Sequence, residues 1–228
     1  MSLIMNWRSS IGQKVLMALS GILLLGFVIA HLAGNLLIYA GPDALNAYAK
    51  HVRDLGPLLW VARAGLLLAV LIHVWTSVQL ALENGRARPV VLRRQRFMAT
   101  TWMARTMLLS GGLFVVYLVY HLLHFTFGVT NPNLSESIDH LGRHDVYRMV
   151  VLSFQQRPIV AAYVLGMTVL CCHLSHGIGS VFQTLGVNNA RTLLFWKRFG
   201  QLLSMLIFLG YVSIPLSVLA GCVTWQGR

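Results

Sequence analysis

Acidic residues are scarce in this chain. Only 6 of its 228 residues are Asp or Glu, and charged residues make up 11% of the sequence, whereas a soluble globular domain has about 25%. Apolar residues make up 57%, and the mean hydropathy is +0.68. This composition excludes a soluble protein. The net charge of +12 does not indicate a nucleic-acid partner, because the basic residues lie in short segments between long apolar runs.

Cysteine is also rare, and its spacing matches no metal site. Cys171 and Cys172 are adjacent on an apolar run and Cys222 stands alone, so we interpret all three as small apolar residues. The sequence lacks a Cys-x-x-Cys-His motif, so any haem would be held noncovalently, as b-type. It also lacks a Gly-rich dinucleotide-binding loop and a cysteine set for an iron–sulfur cluster.

Five apolar runs are long enough to cross about 30 Å of hydrocarbon, which takes about 20 helical residues. They are residues 15–40, 58–82, 106–129, 159–185 and 200–224. The predicted fold class is therefore an all-α membrane protein: one bundle of five transmembrane helices over residues 1–228, with no second domain and no internal repeat. Pro215 is expected to kink the fifth helix. The first run exceeds the length of a signal-peptide core, so we expect it to stay in the mature protein.

The charges of the loops predict the orientation of this bundle. Cationic residues crowd the N-terminus, the connection between runs two and three, and the start of run five: Arg8, Lys14, Arg86, Arg88, Arg93, Arg94, Arg96, Arg191, Lys197 and Arg198. Acidic residues mark the other two loops: Asp43, Asp54, Glu136, Asp139 and Asp145. Cationic loops favour the cytoplasm, so the N-terminus is predicted inside and the C-terminus outside. The second outer loop is expected to contain a short interfacial helix over residues 144–154.

Six of the nine histidines lie within the apolar runs: His31, His73, His121, His124, His173 and His176. Their depths are informative. Given the predicted orientation, His31 and His121 share one level on the outer side of the midpoint. His73 and His173 share another level on the inner side. Two histidines at equal depth on different helices can be the axial ligands of one haem, so two levels predict two b-type haems.

Other residues near these levels have more than one interpretation. Glycines flank the four histidines, and they would let either flat macrocycles or neighbouring helices approach. His124 and His176 each follow a predicted ligand by three residues, about one helical turn. They are alternative ligands, or contacts for haem propionates or a quinone.

The motifs around these histidines resemble those of a known family, the five-helix, di-haem cytochrome b subunit of bacterial succinate dehydrogenases and fumarate reductases. The resemblance covers nearly the whole chain. Its main strings are Ser9-Ser10-Ile11-Gly12, Ala18-Leu19-Ser20-Gly21, His31-Leu32, Gly34-Asn35-Leu36, Gly41-Pro42-Asp43-Ala44-Leu45-Asn46-Ala47-Tyr48-Ala49, His73-Val74-Trp75, Arg105-Thr106-Met107, Ser110-Gly111, His121-Leu122-Leu123-His124-Phe125-Thr126, Asp145-Val146-Tyr147 and His173-Leu174-Ser175-His176-Gly177.

The resemblance implies a function and its partners. One iron ligand comes from each of the first four helices: His73 and His173 hold the proximal haem, and His31 and His121 hold the distal haem. The chain would lie in the bacterial cytoplasmic membrane and bind a flavoprotein subunit, which carries the succinate site, and an iron–sulfur subunit. Electrons would pass through both haems to a quinone, usually menaquinone. Succinate oxidation and fumarate reduction remain equally open.

Quinone and haem-propionate contacts need polar groups beside an apolar slot. The candidates on the outer side, for quinone, are Asn35, Tyr39, Asn46, Tyr48, His51 and His124. The candidates on the cytoplasmic side, for propionates or a second quinone position, are Ser9, Ser10, Trp102, Arg105, His176 and Gln183. The arginines at positions 86–96 either set the topology and contact anionic lipid or dock the iron–sulfur subunit.

Two other function classes stay open. A di-haem cytochrome b of another respiratory dehydrogenase, such as a hydrogenase or formate dehydrogenase, would use similar histidine geometry. A haem-free proton-coupled transporter would use the histidines as proton relays, although none of the six acidic residues lies well inside an apolar run.

Overall fold

The computed structural model describes residues 9–86, 106–187, 189 and 191–227. Several residues of the sequence analysis lie outside these ranges: Arg8, Arg88, Arg93, Arg94, Arg96, Trp102, Arg105 and Arg228. Within the described ranges there is no β-strand, and the chain is built almost entirely of helices. The all-α architecture predicted from the sequence is therefore confirmed.

Five of these helices are long and apolar enough to cross a membrane, which indicates a multi-pass membrane protein. They are α1 (Ser10–Asn35), α3 (Pro57–Arg86), α4 (Met107–His121), α7 (Arg157–Thr184) and α8 (Leu193–Leu219). A 3₁₀ turn, Leu36–Ala40, extends α1, and a π-helical turn, Leu122–Thr126, extends α4. The short helices are α2 (Pro42–Asp54), α5 (Pro132–Ser135) and α6 (Val146–Phe154).

The helices match the predicted runs, with differences at their ends. Helix α8 begins at Leu193, seven residues before the predicted apolar run that starts at position 200, so the segment with Trp196 and Lys197 is helical as well. Helix α8 ends at Leu219, before the predicted position 224. Gly221, two residues later, adopts a φ of 76°, which residues other than glycine rarely adopt. Pro215 lies buried inside α8. The short helix expected over 144–154 is α6. The Asp145 side chain caps its N-terminus by accepting a hydrogen bond from the backbone N–H of Arg148.

The long helices pack as two pairs with a fifth helix beside them. Helix α1 packs on α3, α4 packs on α7, and α8 packs mainly on α7. The most hydrophobic stretch of α3 is only 6% buried, and that of α8 only 33%. In a membrane the remaining apolar surface would face lipid, so burial by protein is not needed there.

One end of the bundle carries a compact cap, formed by the 3₁₀ turn, α2, α5 and α6. The largest cluster of buried apolar side chains lies where this cap meets α7 and α8: Ile38, Leu45, Tyr147, Val151, Phe154, Val160, Tyr163, Ile214, Val218 and Val223. Packing of this cluster fixes the cap against the ends of the long helices.

Candidate functional site

Four histidines meet as two pairs inside the bundle. His31 of α1 and His121 of α4 have ring centres 6.0 Å apart, and we call them the first pair. His73 of α3 and His173 of α7 have ring centres 6.3 Å apart, and we call them the second pair. In each histidine pair, one ring comes from the packed helices α1 and α3 and the other from the packed helices α4 and α7. They are the same two pairs that the depths of the histidines predict.

These separations distinguish between two kinds of histidine contact. A direct hydrogen bond between two imidazoles would bring their centres to about 5.2 Å, given a donor–acceptor distance of about 2.9 Å. A metal–imidazole nitrogen bond is about 2.0–2.1 Å, as for zinc, so two rings on opposite sides of one metal have centres roughly 6.3 Å apart. The observed 6.0 and 6.3 Å are longer than a direct hydrogen bond gives; they leave room for a shared metal, and with ring planes 80° and 71° apart they also equal an ordinary edge-to-face contact.

The ring of His73 is held by helix α1 in one tautomer. Its Nδ1 lies 3.1 Å from the Met17 carbonyl oxygen and 3.2 Å from the Ser20 Oγ. A carbonyl can only accept, so Nδ1 carries the proton and donates it. The Ser20 hydroxyl donates to the Leu16 carbonyl at 2.8 Å, which leaves its oxygen free to accept from the ring. The lone pair of Nε2 then remains for a metal.

The ring of His173 is held in the same way by helix α4. Its Nδ1 lies 3.2 Å from the Ser110 Oγ. The Ser110 hydroxyl donates to the Met107 carbonyl at 3.1 Å, so its oxygen can accept from His173. Both rings of the second pair therefore have Nδ1–H engaged and Nε2 available.

Aromatic side chains stack on both rings of the first pair. Phe27 stacks on His31 with ring centres 5.4 Å apart, and Tyr117 stacks on His121 at 6.2 Å. The Nδ1 of His121 lies 3.3 Å from the Tyr163 hydroxyl. Within the described parts of the chain, no hydrogen bond is made by the ring of His31. Aromatic stacking, rather than a hydrogen bond, therefore orients that ring.

His124, which the sequence offers as an alternative ligand, lies beside the first pair in the π-helical turn. It is 1% exposed, and its Nδ1 lies 3.0 Å from the same Tyr163 hydroxyl. Among the described residues its buried Nε2 has no hydrogen-bond partner. His176, the other alternative, hydrogen-bonds the Ser180 Oγ of its own helix through Nε2 at 3.0 Å. That bond leaves the Nε2 of His176 engaged within α7.

The residues that hold the histidines belong to a short recurring string that the sequence analysis missed. A Met-x-Leu-Ser-Gly string, followed by an aromatic residue and a histidine, occurs in α1 and again in α4 at positions 90 residues later. The matching residues are Met17 and Met107, Ser20 and Ser110, Gly21 and Gly111, Phe27 and Tyr117, and His31 and His121. A search for recurrence at a fixed offset would have found it.

A metal held by one of these pairs would have to bring further ligands of its own. Over the residues that the structure describes, no group of three or more His, Cys, Asp or Glu side chains could hold a metal ion. An ordinary structural zinc site needs four ligands and is not formed here. A porphyrin supplies four nitrogens and leaves two axial positions, which is what one histidine pair provides.

The polar residues predicted to contact quinone lie around the cap, and they differ in availability. The Asn35 amide donates to the His31 carbonyl at 2.7 Å, and the half-exposed Tyr39 hydroxyl donates to the Ser213 Oγ at 2.9 Å. The Tyr48 ring fills the space beside Gly34. His51 is exposed at the cap surface. Asn35 and Tyr39 are therefore both engaged within the protein, and His51 is turned to the outside.

Asn46 has no group left for a ligand. It is 1% exposed, and its amide nitrogen donates to Asp139 at 3.2 Å and to Asp145 at 3.0 Å. Its oxygen accepts from the Tyr147 backbone at 3.0 Å. Its hydrogen bonds join α2 to the loop before α6 and to the N-terminus of α6, so Asn46 holds the cap together and we do not carry it into the proposed quinone contacts.

The candidates at the opposite end flank a surface pocket between α1 and α7. This pocket has a volume of about 350 Å³ and is lined by Ile11, Lys14, Val15, Ser180, Gln183 and Thr184. Gln183 was predicted here, and Ser180 is the hydrogen-bond partner of His176. Ser10 begins α1 on its exposed side, and Ser9 caps that helix by accepting from Gly12 at 3.1 Å. Arg105 and Trp102 lie outside the described residues.

Comparison with protein-family models, curated proteins and solved structures finds no match to this chain. Its function is therefore argued from the geometry of the two histidine pairs and from the sequence.

Proposed function

We propose that this chain is a di-haem cytochrome b that serves as the membrane anchor and quinone-reactive subunit of a succinate:quinone oxidoreductase. One observation carries the proposal: two histidine pairs lie inside a bundle of membrane-length helices, with ring centres 6.0 and 6.3 Å apart. Each pair has the spacing of two axial ligands on one metal.

The residues of the chain would bind and orient the cofactors. His31 and His121 would hold one haem b, and His73 and His173 the other, each through Nε2. When bound, the haems supply one-electron carriers between an iron–sulfur partner and a quinone such as menaquinone. Succinate chemistry would take place on the flavoprotein partner, in keeping with the lack of a dinucleotide-binding loop in this sequence.

The partners and the membrane rest on the sequence resemblance. The cationic end of the bundle would face the cytoplasm and meet the iron–sulfur subunit, and the cap would lie on the outer side of a bacterial cytoplasmic membrane. Quinone would bind among the polar residues of the cap end, with Asn35, Tyr39, Tyr48, His51 and His124 as the remaining candidates. The same architecture would serve a quinol:fumarate reductase running in the reverse direction.

Haem content tests this proposal directly. A pyridine haemochrome assay with protein quantitation on the purified chain or its complex is expected to give two b haems per chain. His31→Ala, His73→Ala, His121→Ala and His173→Ala should each lower the content toward one haem. His140→Ala, at an exposed histidine outside both pairs, is the matched control and should retain two.

The outcome also separates the alternatives. A folded chain without a Soret band would overturn the di-haem proposal and favour the haem-free transporter. The histidine geometry would serve a di-haem subunit of another respiratory dehydrogenase equally well. Co-purification of a covalent or tightly bound flavin with succinate dehydrogenase activity would support the succinate assignment, and a hydrogenase or formate dehydrogenase partner would replace it.

A further inference from the structure

We propose that Ser20 and Ser110 are positioning residues that orient His73 and His173 and raise the basicity of these two rings as metal ligands. This inference rests on the proposed function. It concerns two hydroxyl groups that would act through the histidine that each one contacts.

The direction of the hydrogen bonds supports this role. Each serine donates its own proton to a helix carbonyl, at 2.8 Å from Ser20 to Leu16 and at 3.1 Å from Ser110 to Met107. Each oxygen can therefore accept from the Nδ1–H of the histidine, 3.2 Å away in both cases, and for His73 it shares that proton with the Met17 carbonyl at 3.1 Å. An acceptor on Nδ1–H fixes the tautomer with Nε2 free, and it increases the electron density that Nε2 gives to a metal.

The glycine after each serine completes the arrangement. A Cβ added at Gly21 would lie 3.3 Å from the Cε1 of His73, and a Cβ added at Gly111 would lie 3.3 Å from the Cε1 of His173. That spacing is tighter than an ordinary carbon contact. The rings therefore lie close against the backbone of the neighbouring helix, which limits their rotation. We call the two elements, Ser20-Gly21 and Ser110-Gly111, the serine–glycine supports.

The occurrence of the same contacts at both copies of the recurring string argues against chance packing. The supports belong to α1 and α4, and the histidines that they hold belong to α3 and α7. The two serine–histidine distances are equal, as are the two glycine contacts. A buried serine often serves only to fill a small space or to bond its own helix. That role would not require a histidine Nδ1 at the same position twice.

A redox titration tests the proposal in the purified, haem-loaded complex, with the midpoint potential and the electron paramagnetic resonance signal of each haem as its two readouts. The variants are Ser20→Ala and Ser110→Ala, with Ser20→Thr and Ser110→Thr as conservative versions that keep the hydroxyl. The matched control is Ser204→Ala, because Ser204 is 1% exposed, donates to the Gln201 carbonyl at 2.9 Å and makes no hydrogen bond to a histidine. The His73→Ala variant identifies which midpoint potential belongs to the first pair.

Removing the serine hydroxyl leaves the His73 Nδ1–H with the Met17 carbonyl as its one remaining acceptor. The ring is expected to be less basic than with both acceptors, which favours the reduced metal. We therefore expect the alanine variants to raise the midpoint potential of the second-pair haem alone and to change its low-spin electron paramagnetic resonance signal. The threonine variants and Ser204→Ala should keep the parental values. Unchanged potentials and spectra in both alanine variants, with two haems bound, would overturn the proposal and leave the serines as packing residues.

Loss of haem is also interpretable. If an alanine variant binds one haem, the threonine variant decides: recovery of the second haem shows that the hydroxyl is needed, and continued loss points to packing and overturns the proposal. Gly21→Ala should perturb the same haem by pressing on the His73 ring, while Gly112→Ala, which has open space around it, should not. A parent protein without haem would instead overturn the proposed function.

Discussion

The two histidine pairs are made by four different helices, two for each pair, and are held in different ways. In the second pair, each ring donates to a serine of the neighbouring helix, and the two halves are alike. In the first pair, His121 contacts the Tyr163 hydroxyl, whereas the ring of His31 makes no hydrogen bond among the described residues. The repeat that connects α1 with α4 is therefore kept around the second pair and broken around the first.

The difference between the two pairs lies in the second and fourth membrane-length helices, α3 and α7. Tyr163 lies ten residues before His173 in α7, and the residue ten before His73 in α3 is Arg63. Tyr163 is buried, whereas Arg63 is exposed, with its guanidinium 5.0 Å from the centre of the Trp60 ring. A cation at the edge of a membrane span can keep its charge near water. We infer that the serine contacts fix the orientation of the second pair, whereas Tyr163 connects the first pair to the cap.

The first pair also belongs to a larger packed unit. Tyr163 lies 5.0 Å from Phe154 of α6, measured between ring centres, and Phe125 packs on the same tyrosine at 5.5 Å. The cap core thus reaches the histidine through aromatic contacts. Changes in the cap are expected to alter the first pair and to leave the second pair unchanged.

The largest expected effect comes from combining histidine substitutions. Because two ligands of one haem act as a unit, His31→Ala/His121→Ala should lose no more haem than either single variant. His31→Ala/His73→Ala should lose both haems, because it removes one ligand from each pair. Pyridine haemochrome content and the Soret absorbance measure this. Additive loss within a pair would show that His31 and His121 do not share a site.

A smaller effect is expected where the first pair has no room for another atom. A Cβ added at Gly166 would lie 2.2 Å from the Tyr117 ring, which stacks on His121. Overpacking of this kind costs about 1–3 kcal/mol. Gly166→Ala should therefore lower the thermal unfolding temperature in detergent and disturb the first-pair spectrum. Gly112→Ala, with no neighbour within 4 Å, is the control. A parental first-pair spectrum in Gly166→Ala would show that the pair tolerates displacement of Tyr117.

Sequence reasoning reached the coarse features because they depend on patterns along one dimension. The number of long helices follows from apolar length, and the meeting of His31 with His121 follows from their depth. The role of Asn46 could not be predicted, because it depends on three partners about 100 residues away. Tyr163 was missed for the same reason. Ser20 and Ser110 were visible as a repeated string, but the function of their hydroxyls required the helix packing.

Tyr163→Phe tests whether the first pair depends on a hydroxyl that the second pair does not contact. The variant leaves the Nδ1 of His121 and that of His124 without this partner, at a cost of about 1 kcal/mol in stability. The midpoint potential of the first-pair haem should rise, and that of the second should stay at its parental value. Tyr117→Phe is the control, because among the described residues its hydroxyl makes no hydrogen bond. An equal change in both potentials would mean that the two pairs are not independent.

The smallest expected effect is a dependence of the cap on acidic pH. Burial alone would raise the pKa of Asp139, but hydrogen bonds from Arg143, Leu141 and Asn46 outweigh it and lower the pKa to about 2. The folded value lies below the unfolded value of about 3.9, so this stabilisation is complete above pH 4 and is lost as the pH falls toward 2.

Thermal unfolding in detergent between pH 5 and pH 2 tests this expectation. Asp139→Asn should be less stable at pH 5 and should lose less stability on acidification than the parent, with faster hydrogen exchange in α2 and α6. Asp54→Asn is the control, since the Asp54 pair with Lys50 is exposed and such surface pairs contribute about 0–1 kcal/mol. Because α6 contacts Tyr163 through Phe154, acid should release the first-pair haem before the second. Release in the opposite order, or at the same pH, would show that the cap does not stabilise the first pair.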